Sequence, residues 1–330
     1  MIPEKMKAFQ FVGKNQVGIF DVPVPELKNE NSILIKNDAA IICNMTDTHI
    51  YEGAHEPNGP SGWDMPLPCT QGHESSGIVV KKGSAVTNVD VGDRVALCGW
   101  FESGSFAEYT MASGGYIKVS NSMPAEQAAL VEMLSCVYLI VDQVFTIGES
   151  VVLMGAGAAG SLGLKLVKAG GATKIIVVEP HEGKREYAKA NGAHYVIDPN
   201  SEDVAAKVSE YTNGKMVDVV MEFSGYAESL AVMNSCVRRG GKIGLFGVCP
   251  HPTTVNMYDL HMNWATIVTA GYKRGYTEYV QEKAVEMIEA GVVNIDDMVT
   301  HRIKLEQIEE AFHMIQKGEE NIRKILIEFE

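Results

Sequence analysis

Cys43, His73, Glu74 and Glu132 carry the most chemical potential in the chain. A thiolate, an imidazole and carboxylates make a donor set suited to a borderline-soft cation such as zinc, and an open position for substrate makes such a site catalytic. Each residue also has an ordinary reading. Cys43 could fill a small apolar gap, His73 could be a hydrogen-bonded core histidine, and Glu132 could sit near a helix start and its dipole. Close to the cysteine, in Cys43-Asn44-Met45-Thr46-Asp47-Thr48-His49, stand a hydroxyl, a carboxylate and a second imidazole. A histidine titrating near neutrality suits proton transfer.

A second constellation lies later in the chain. The apolar run 151–154 leads directly into Gly155-Ala156-Gly157-Ala158-Ala159-Gly160, followed by an apolar helical pattern. This spacing predicts a dinucleotide turn. Gly155 permits the tight bend, Gly157 lets backbone approach a pyrophosphate, and Gly160 allows close helix–strand packing. The helix start at Ala158 and Ala159 offers free N–H groups to phosphate. Glu179 ends the next strand, 19 residues after Gly160. Its carboxylate can accept from the ribose hydroxyls of NAD and would repel the 2′-phosphate of NADP. Lys184 and Arg185 lie close by and soften that repulsion, so NAD is favoured and NADP is the lesser expectation. Gly247 and Val248 are further candidates for cofactor contact. A ligand-free glycine turn with a solvated glutamate is the plain alternative, but the strand before and the helix after argue against it.

These residues need elements to position them. Between residues 7 and 123 short β-type runs (33–35, 77–80, 95–97) are broken by Gly, Pro and Asn, and helical periodicity is scarce, which suggests an irregular β-barrel. From residue 134 apolar runs at 151–154, 175–178, 195–197, 217–221, 243–246 and 266–269 alternate with helical stretches such as 161–169, 182–190 and 228–237. That alternation predicts an α/β unit, a doubly wound parallel sheet of the Rossmann type with helices on both faces. A helix over 279–289 precedes Gly291, and residues 292–330, with a helix near 307–316 and a strand at 324–327, are expected to return to the first domain. The expected domains are therefore 1–133 with 292–330, and 134–291.

Composition narrows the partners. The 330 residues carry 28 Lys and Arg against 42 Asp and Glu, a formal charge of −14, which would repel nucleic acid or an anionic membrane. No apolar run approaches the roughly 20 residues of a membrane span, and residues 1–10 do not read as a secretory signal. The chain reads as cytoplasmic. Cys43, Cys69, Cys98, Cys136, Cys236 and Cys249 form no closely spaced pairs, so neither disulfides nor a four-cysteine zinc knot are expected.

Gly72-His73-Glu74 with Gly77, Gly92-Asp93-Arg94-Val95, Gly104-Ser105-Phe106-Ala107-Glu108-Tyr109, Ala128-Ala129-Leu130-Val131-Glu132, the glycine turn, Gly240-Gly241-Lys242 and Thr300-His301-Arg302 together resemble the zinc-dependent medium-chain dehydrogenases. The resemblance covers essentially the whole chain and is strongest to the sorbitol and threonine (polyol) dehydrogenase branch. It implies a GroES-like barrel catalytic domain beside the Rossmann domain, one catalytic zinc, a small-molecule alcohol or polyol substrate, and assembly as a homodimer or homotetramer. It further implies zinc ligation by Cys43, His73 and Glu74, with Glu132 as ligand or as acceptor for a water. Thr46 matches the family's relay hydroxyl, His49 matches the histidine that passes the proton to solvent, and Asp47 reads as the partner orienting His73.

The chain departs from that pattern at the cysteine. The family places one residue between cysteine and the Thr/Ser-Asp pair; here there are two, Asn44 and Met45. Either Cys43 reaches in through a shifted loop or Asn44 occupies the ligand column, and the better affinity of thiolate for zinc favours Cys43. The segment between Cys98 and Phe106 is too short for a structural-zinc lobe. The expected reaction is hydride transfer between a secondary alcohol or polyol and NAD, with zinc lowering the hydroxyl's pKa. The rivals are a metal-free NADPH-dependent quinone or enoyl reductase of the same superfamily, and a non-catalytic dinucleotide-binding module. Tyr51, Trp63, Trp100 and Phe101 are candidates for substrate contact or for ordinary packing.

Overall fold

The computed structural model describes residues 1–53, 66–99, 103–249, 252–269, 276–318 and 321–329; Trp63, Trp100 and Phe101 lie outside them. The chain forms two compact units. The first comprises Met1–Met133, Gln281–Ala290 and Ile295–Glu330, and the second Leu134–Val280 and Gly291–Asn294. Residues 281–290 thus belong with the first unit, ahead of the return expected at residue 292.

The chain opens with a hairpin of β1 (Lys5–Gly13) and β2 (Gln16–Pro23), then β3 (Ile33–Ile41), the short α1 (Thr46–Tyr51), β4 (Glu74–Lys82), β5 (Arg94–Cys98), β6 (Tyr109–Ala112), β7 (Tyr116–Lys118) and α2 (Ala125–Ala129). α3 (Val131–Val144) leads into the second unit. There β8 (Ser150–Met154), α4 (Ala158–Ala169), β9 (Lys174–Val178), α5 (Glu182–Ala190), β10 (Tyr195–Ile197), α6 (Val204–Tyr211), β11 (Val217–Glu222), α7 (Ala227–Cys236), β12 (Val237–Leu245), α8 (Met257–Asn263) and β13 (Thr266–Thr269) follow, and α9 (Tyr276–Glu289) begins in this unit but belongs to the first from Gln281 onward. β14 (Val299–Lys304), α10 (Ile308–Gln316) and β15 (Lys324–Glu328) close the chain.

In the second unit the six strands are parallel, in the order β10-β9-β8-β11-β12-β13. Strand order therefore reverses beside β8, where a doubly wound sheet binds its ligand. The apolar runs of β8, β9 and β11 are buried on both faces, as strands covered by helices on each side must be. β12 starts at Val237, earlier than the expected 243, because Val237 pairs with Val217 and the ladder resumes only at Lys242 with Val219. Residues 238–241, with Gly240 at φ +72°, bulge between.

In the first unit the larger sheet runs β14-β15-β3-β4-β5-β7, with β6 also on β3. β15 pairs antiparallel with β3, so the C-terminal strand is built into the first sheet. Its core gathers Phe9, Phe11, Tyr51, Phe106 and Phe312. Tyr51 is fully buried and stacks on Phe312 with ring centroids 4.9 Å apart, so its role is packing. Among the described residues no helix is long and apolar enough to cross a membrane.

Candidate active site

The metal-binding candidates converge because three strands end together. β15 lies beside β3 and β3 beside β4. Ile41 at the end of β3 faces both Leu326 of β15 and Glu74, the first residue of β4; on its other side Glu74 faces Cys98. Cys43 follows β3 and His73 precedes β4. One ligand atom from each of Cys43, His73 and Glu74 lies within 4.8 Å of the others. His73 and Glu74 are buried and Cys43 is half-buried.

The two-residue spacer is accommodated by a local brace. The backbone N–H of Cys43 donates to Asp47 Oδ2 at 2.8 Å, and the N–H of Asp47 donates back to the Cys43 carbonyl at 3.2 Å. The Asn44 side-chain amide is turned to the Arg323 carbonyl at 3.1 Å. Cys43 thus joins the cluster, while the Asn44 amide nitrogen is engaged elsewhere. Asp47 Oδ1 lies 3.7 Å from His73 Nδ1. Burial pushes the Asp47 carboxyl up to about 6, against the pull of His73 and the Cys43 N–H. Burial pulls the His73 imidazole down, but Asp47, Cys43 and Glu132 outweigh it and hold its pKa well above the ordinary value.

Glu132, the second residue of α3, is half-buried and acts electrostatically on His73, Cys98 and Lys324. It does not belong to the three-residue group. Thr46 and His49 fall on α1, three apart and hence on one face; both are half-buried. Sequence reasoning missed Lys324, whose buried Nζ bonds Glu74 Oε1 at 2.8 Å. Nothing in the spacing of a lysine before an apolar run signals such a partner.

Several observations test whether the cluster fits a metal. The donor set is thiolate, imidazole and carboxylate, at mutual distances a single ion can bridge. Among the described residues, the buried Glu74 Oε2 has no hydrogen-bond partner, and an orphaned buried carboxylate oxygen calls for a cation. The residues fit zinc.

The glycine turn follows β8. Gly155 has φ +96°, which favours glycine. A Cβ on Gly160 would stand 2.0 Å from the Gly155 carbonyl oxygen, so helix and turn touch there. A Cβ on Gly157 would meet nothing within 4 Å; this side of the turn is an open cradle. Gly157 caps α4 without a side-chain bond, leaving the first N–H groups, at Ala158 and Ala159, free of intrahelical partners. Glu179 is buried and accepts from the N–H of Ala156 at 2.7 Å and of His181 at 3.0 Å. Arg185 donates to the Glu179 and Pro180 carbonyls at 2.8 and 2.6 Å and lies 3.6 Å from Asp198; Lys184 is half-buried beside it. Gly247 lies against the turn after β11, where a Cβ would be 2.3 Å from the Gly225 nitrogen, and Val248 is exposed. The buried Glu222, also missed by sequence reasoning, ties that turn together through the N–H groups of Ser224 and Gly225.

A metal-ready cluster in one unit and a dinucleotide turn in the other define a metal-assisted, dinucleotide-linked oxidoreductase. Residues 29–133 match the alcohol dehydrogenase GroES-like domain and residues 158–290 the zinc-binding dehydrogenase domain. The chain is 34% identical to the L-threonine 3-dehydrogenase of Pyrococcus horikoshii, over 90% of this chain and 91% of that one. It is 27% identical to the sorbitol dehydrogenase of Bacillus subtilis, over 99% and 98% of the two chains. The crystal structure of 2R,3R-butanediol dehydrogenase from Bacillus subtilis superposes with a TM-score of 0.86 at 26% identity, covering 98% of this chain and all of that one. The chain belongs to the zinc-binding alcohol dehydrogenase family, within its polyol dehydrogenase branch, and combines a GroES-like domain with a Rossmann domain.

Proposed function

We propose that the protein oxidises a secondary alcohol bearing a hydroxyl or amino group on the neighbouring carbon, using NAD. Threonine, sorbitol and butanediol, which name its relatives, all contain that unit. The observation that carries the reading is the convergence of Cys43, His73 and Glu74 within 4.8 Å. When bound, zinc supplies Lewis acidity toward the substrate hydroxyl and the nicotinamide supplies the hydride acceptor.

The chain's own residues do the rest. Cys43, His73 and Glu74 would hold the metal, their ligand atoms lying within 4.8 Å of one another. Asp47 orients the imidazole from the Nδ1 side and pins the Cys43 backbone. Glu132, which acts electrostatically on His73, would offer a further carboxylate as acceptor for a hydrogen bond. Thr46 takes the hydroxyl proton and passes it toward His49, which releases it to solvent. Gly155, Gly157, Ala158, Ala159 and Gly160 cradle the pyrophosphate, with Gly247 and Val248 along the adjacent edge.

NAD rather than NADP follows from Glu179 and Arg185. A carboxylate at this strand end favours ribose hydroxyls over a 2′-phosphate, and the neighbouring guanidinium donates to the Glu179 and Pro180 carbonyls. Lys184 serves the ribose edge.

A homodimer or homotetramer is supported by α8 and β13, where Met257, Tyr258, Met262, Trp264 and Ile267 are exposed beside an edge strand that a second copy would cover. The six cysteines are free thiols, which suits a cytoplasmic protein.

A panel of L-threonine, sorbitol and 2,3-butanediol, each with NAD and NADP and with and without a zinc chelator, tests the reading. Chelator-sensitive NAD reduction is expected. Chelator-insensitive NADPH oxidation by a quinone or enone, with no alcohol turned over, would overturn it.

A further inference from the structure

Lys324 opens β15 with a side chain that is almost wholly buried. An ammonium closed off from water is costly unless paired. Its Nζ donates to Glu74 Oε1 at 2.8 Å and lies 3.5 Å from the Ile42 carbonyl. The sheet order β15-β3-β4 explains the reach: the side chain crosses the end of β3 and arrives at the first residue of β4. Its backbone is clamped as well. The Lys324 N–H donates to the Met298 carbonyl at 3.1 Å, and the Lys324 carbonyl accepts from Thr300 Oγ1 at 3.1 Å. The Glu74 carboxylate is divided. Oε1 is taken by a fixed cation, and Oε2 is buried with no hydrogen-bond partner among the described residues.

We propose that Lys324 is a positioning residue of the metal site: by anchoring Glu74 Oε1 it fixes the carboxylate so that Oε2 is presented as the ligand atom beside Cys43 and His73. This rests on the metal reading above. A lysine that merely neutralised buried charge would leave the carboxylate's orientation, and hence the metal's coordination, to other contacts.

The test uses the full chain loaded with zinc. The rate of zinc transfer to a colorimetric chelator is measured, and the visible spectrum of the cobalt-substituted protein reports the ligand set. Lys324→Met is expected to release zinc about tenfold faster or more, the usual cost of losing a partner that orients a ligand, and to shift the cobalt bands. Lys324→Arg, which keeps a buried cation and donor, is expected to stay near the wild-type rate. In a Glu74→Gln background Lys324→Met should add almost nothing, because the carboxylate it orients is gone. If Lys324→Met does not fold, Lys324→Gln, with the charge removed but a donor kept, replaces it in both assays. Unchanged release and an unchanged spectrum overturn the proposal, as does a full additional loss in the Glu74→Gln background. A wild-type chain that takes up no zinc overturns the metal reading as well, whereas zinc uptake with an indifferent Lys324 overturns this proposal alone.

Discussion

The dinucleotide turn and the metal cluster ask opposite things of the chain. Residues 155–160 work through backbone: peptide N–H groups at the start of α4, a bend at Gly155, and space where Gly157 has no side chain. The cluster works through side chains set at the end of β3 and the start of β4, with Lys324 of β15 bonded to Glu74, segments that are far apart in sequence. The turn should therefore be intolerant of any side chain at its glycines. The cluster instead tolerates an irregular backbone, such as the extra residue before Thr46, as long as the brace between Cys43 and Asp47 restores convergence.

Substitutions can break this contrast. The largest effect is expected for Cys43→Ala, which removes a proposed ligand side chain while leaving the backbone brace intact. Zinc content should fall to background and kcat/KM by about 10³-fold, near 4 kcal/mol of transition-state stabilisation, with the fold retained by circular dichroism.

Within the turn, two neighbouring glycines should behave differently. Gly160→Ala drives a Cβ against the Gly155 carbonyl and should cost about 1–3 kcal/mol of stability, along with NAD binding. Gly157→Ala enters open space, so urea unfolding should change by less than about 0.5 kcal/mol. NAD affinity measured by calorimetry should still drop about tenfold or more, or 1.4 kcal/mol. Equal effects at the two positions would sink the distinction.

A smaller change is expected for Glu179→Ala. It strips the acceptor from the Ala156 and His181 N–H groups and should lower the NAD-over-NADP ratio of kcat/KM by about tenfold, read from initial rates with each cofactor.

The smallest effect concerns Asp218 at the start of β11, remote from both chemistries. Burial raises its pKa, but bonds from the Ser150 hydroxyl and N–H and from Arg238 bring it below the ordinary value. A depressed folded pKa contributes stability above the unfolded value near 4, and that stability is lost as pH falls through the folded pKa. Asp218→Asn should therefore cost about 0.5–1 kcal/mol at pH 7, and urea unfolding at pH 3 should show the gap closing.

The same contrast explains what the sequence made legible. The turn is local, so its glycines, the preceding strand and Glu179 follow from spacing alone. β8 and β9 fall within one residue of the expected runs because buried parallel strands read as short apolar runs. The cluster is non-local. Its donors could be proposed as types, but their convergence came from a whole-chain resemblance and from sheet order that no spacing encodes. Lys324 escaped for a related reason, since its partner Glu74 lies on another strand; Glu222 escaped because a buried charged residue looks like a surface one in sequence. The early start of β12 escaped because Arg238 to Gly241 bulge out of the ladder, and that break in pairing leaves no periodic trace.

The account rests on a single cation held by Cys43, His73 and Glu74. Metal analysis of the purified wild-type chain beside Cys43→Ala and His73→Ala, with cobalt exchanged for zinc, addresses it most directly. One zinc per chain is expected in the wild type and almost none in either variant, and the cobalt form should show a sulfur-to-metal charge-transfer band that Cys43→Ala abolishes. A wild-type chain without metal, or a charge-transfer band that survives the loss of Cys43, would contradict the central claim.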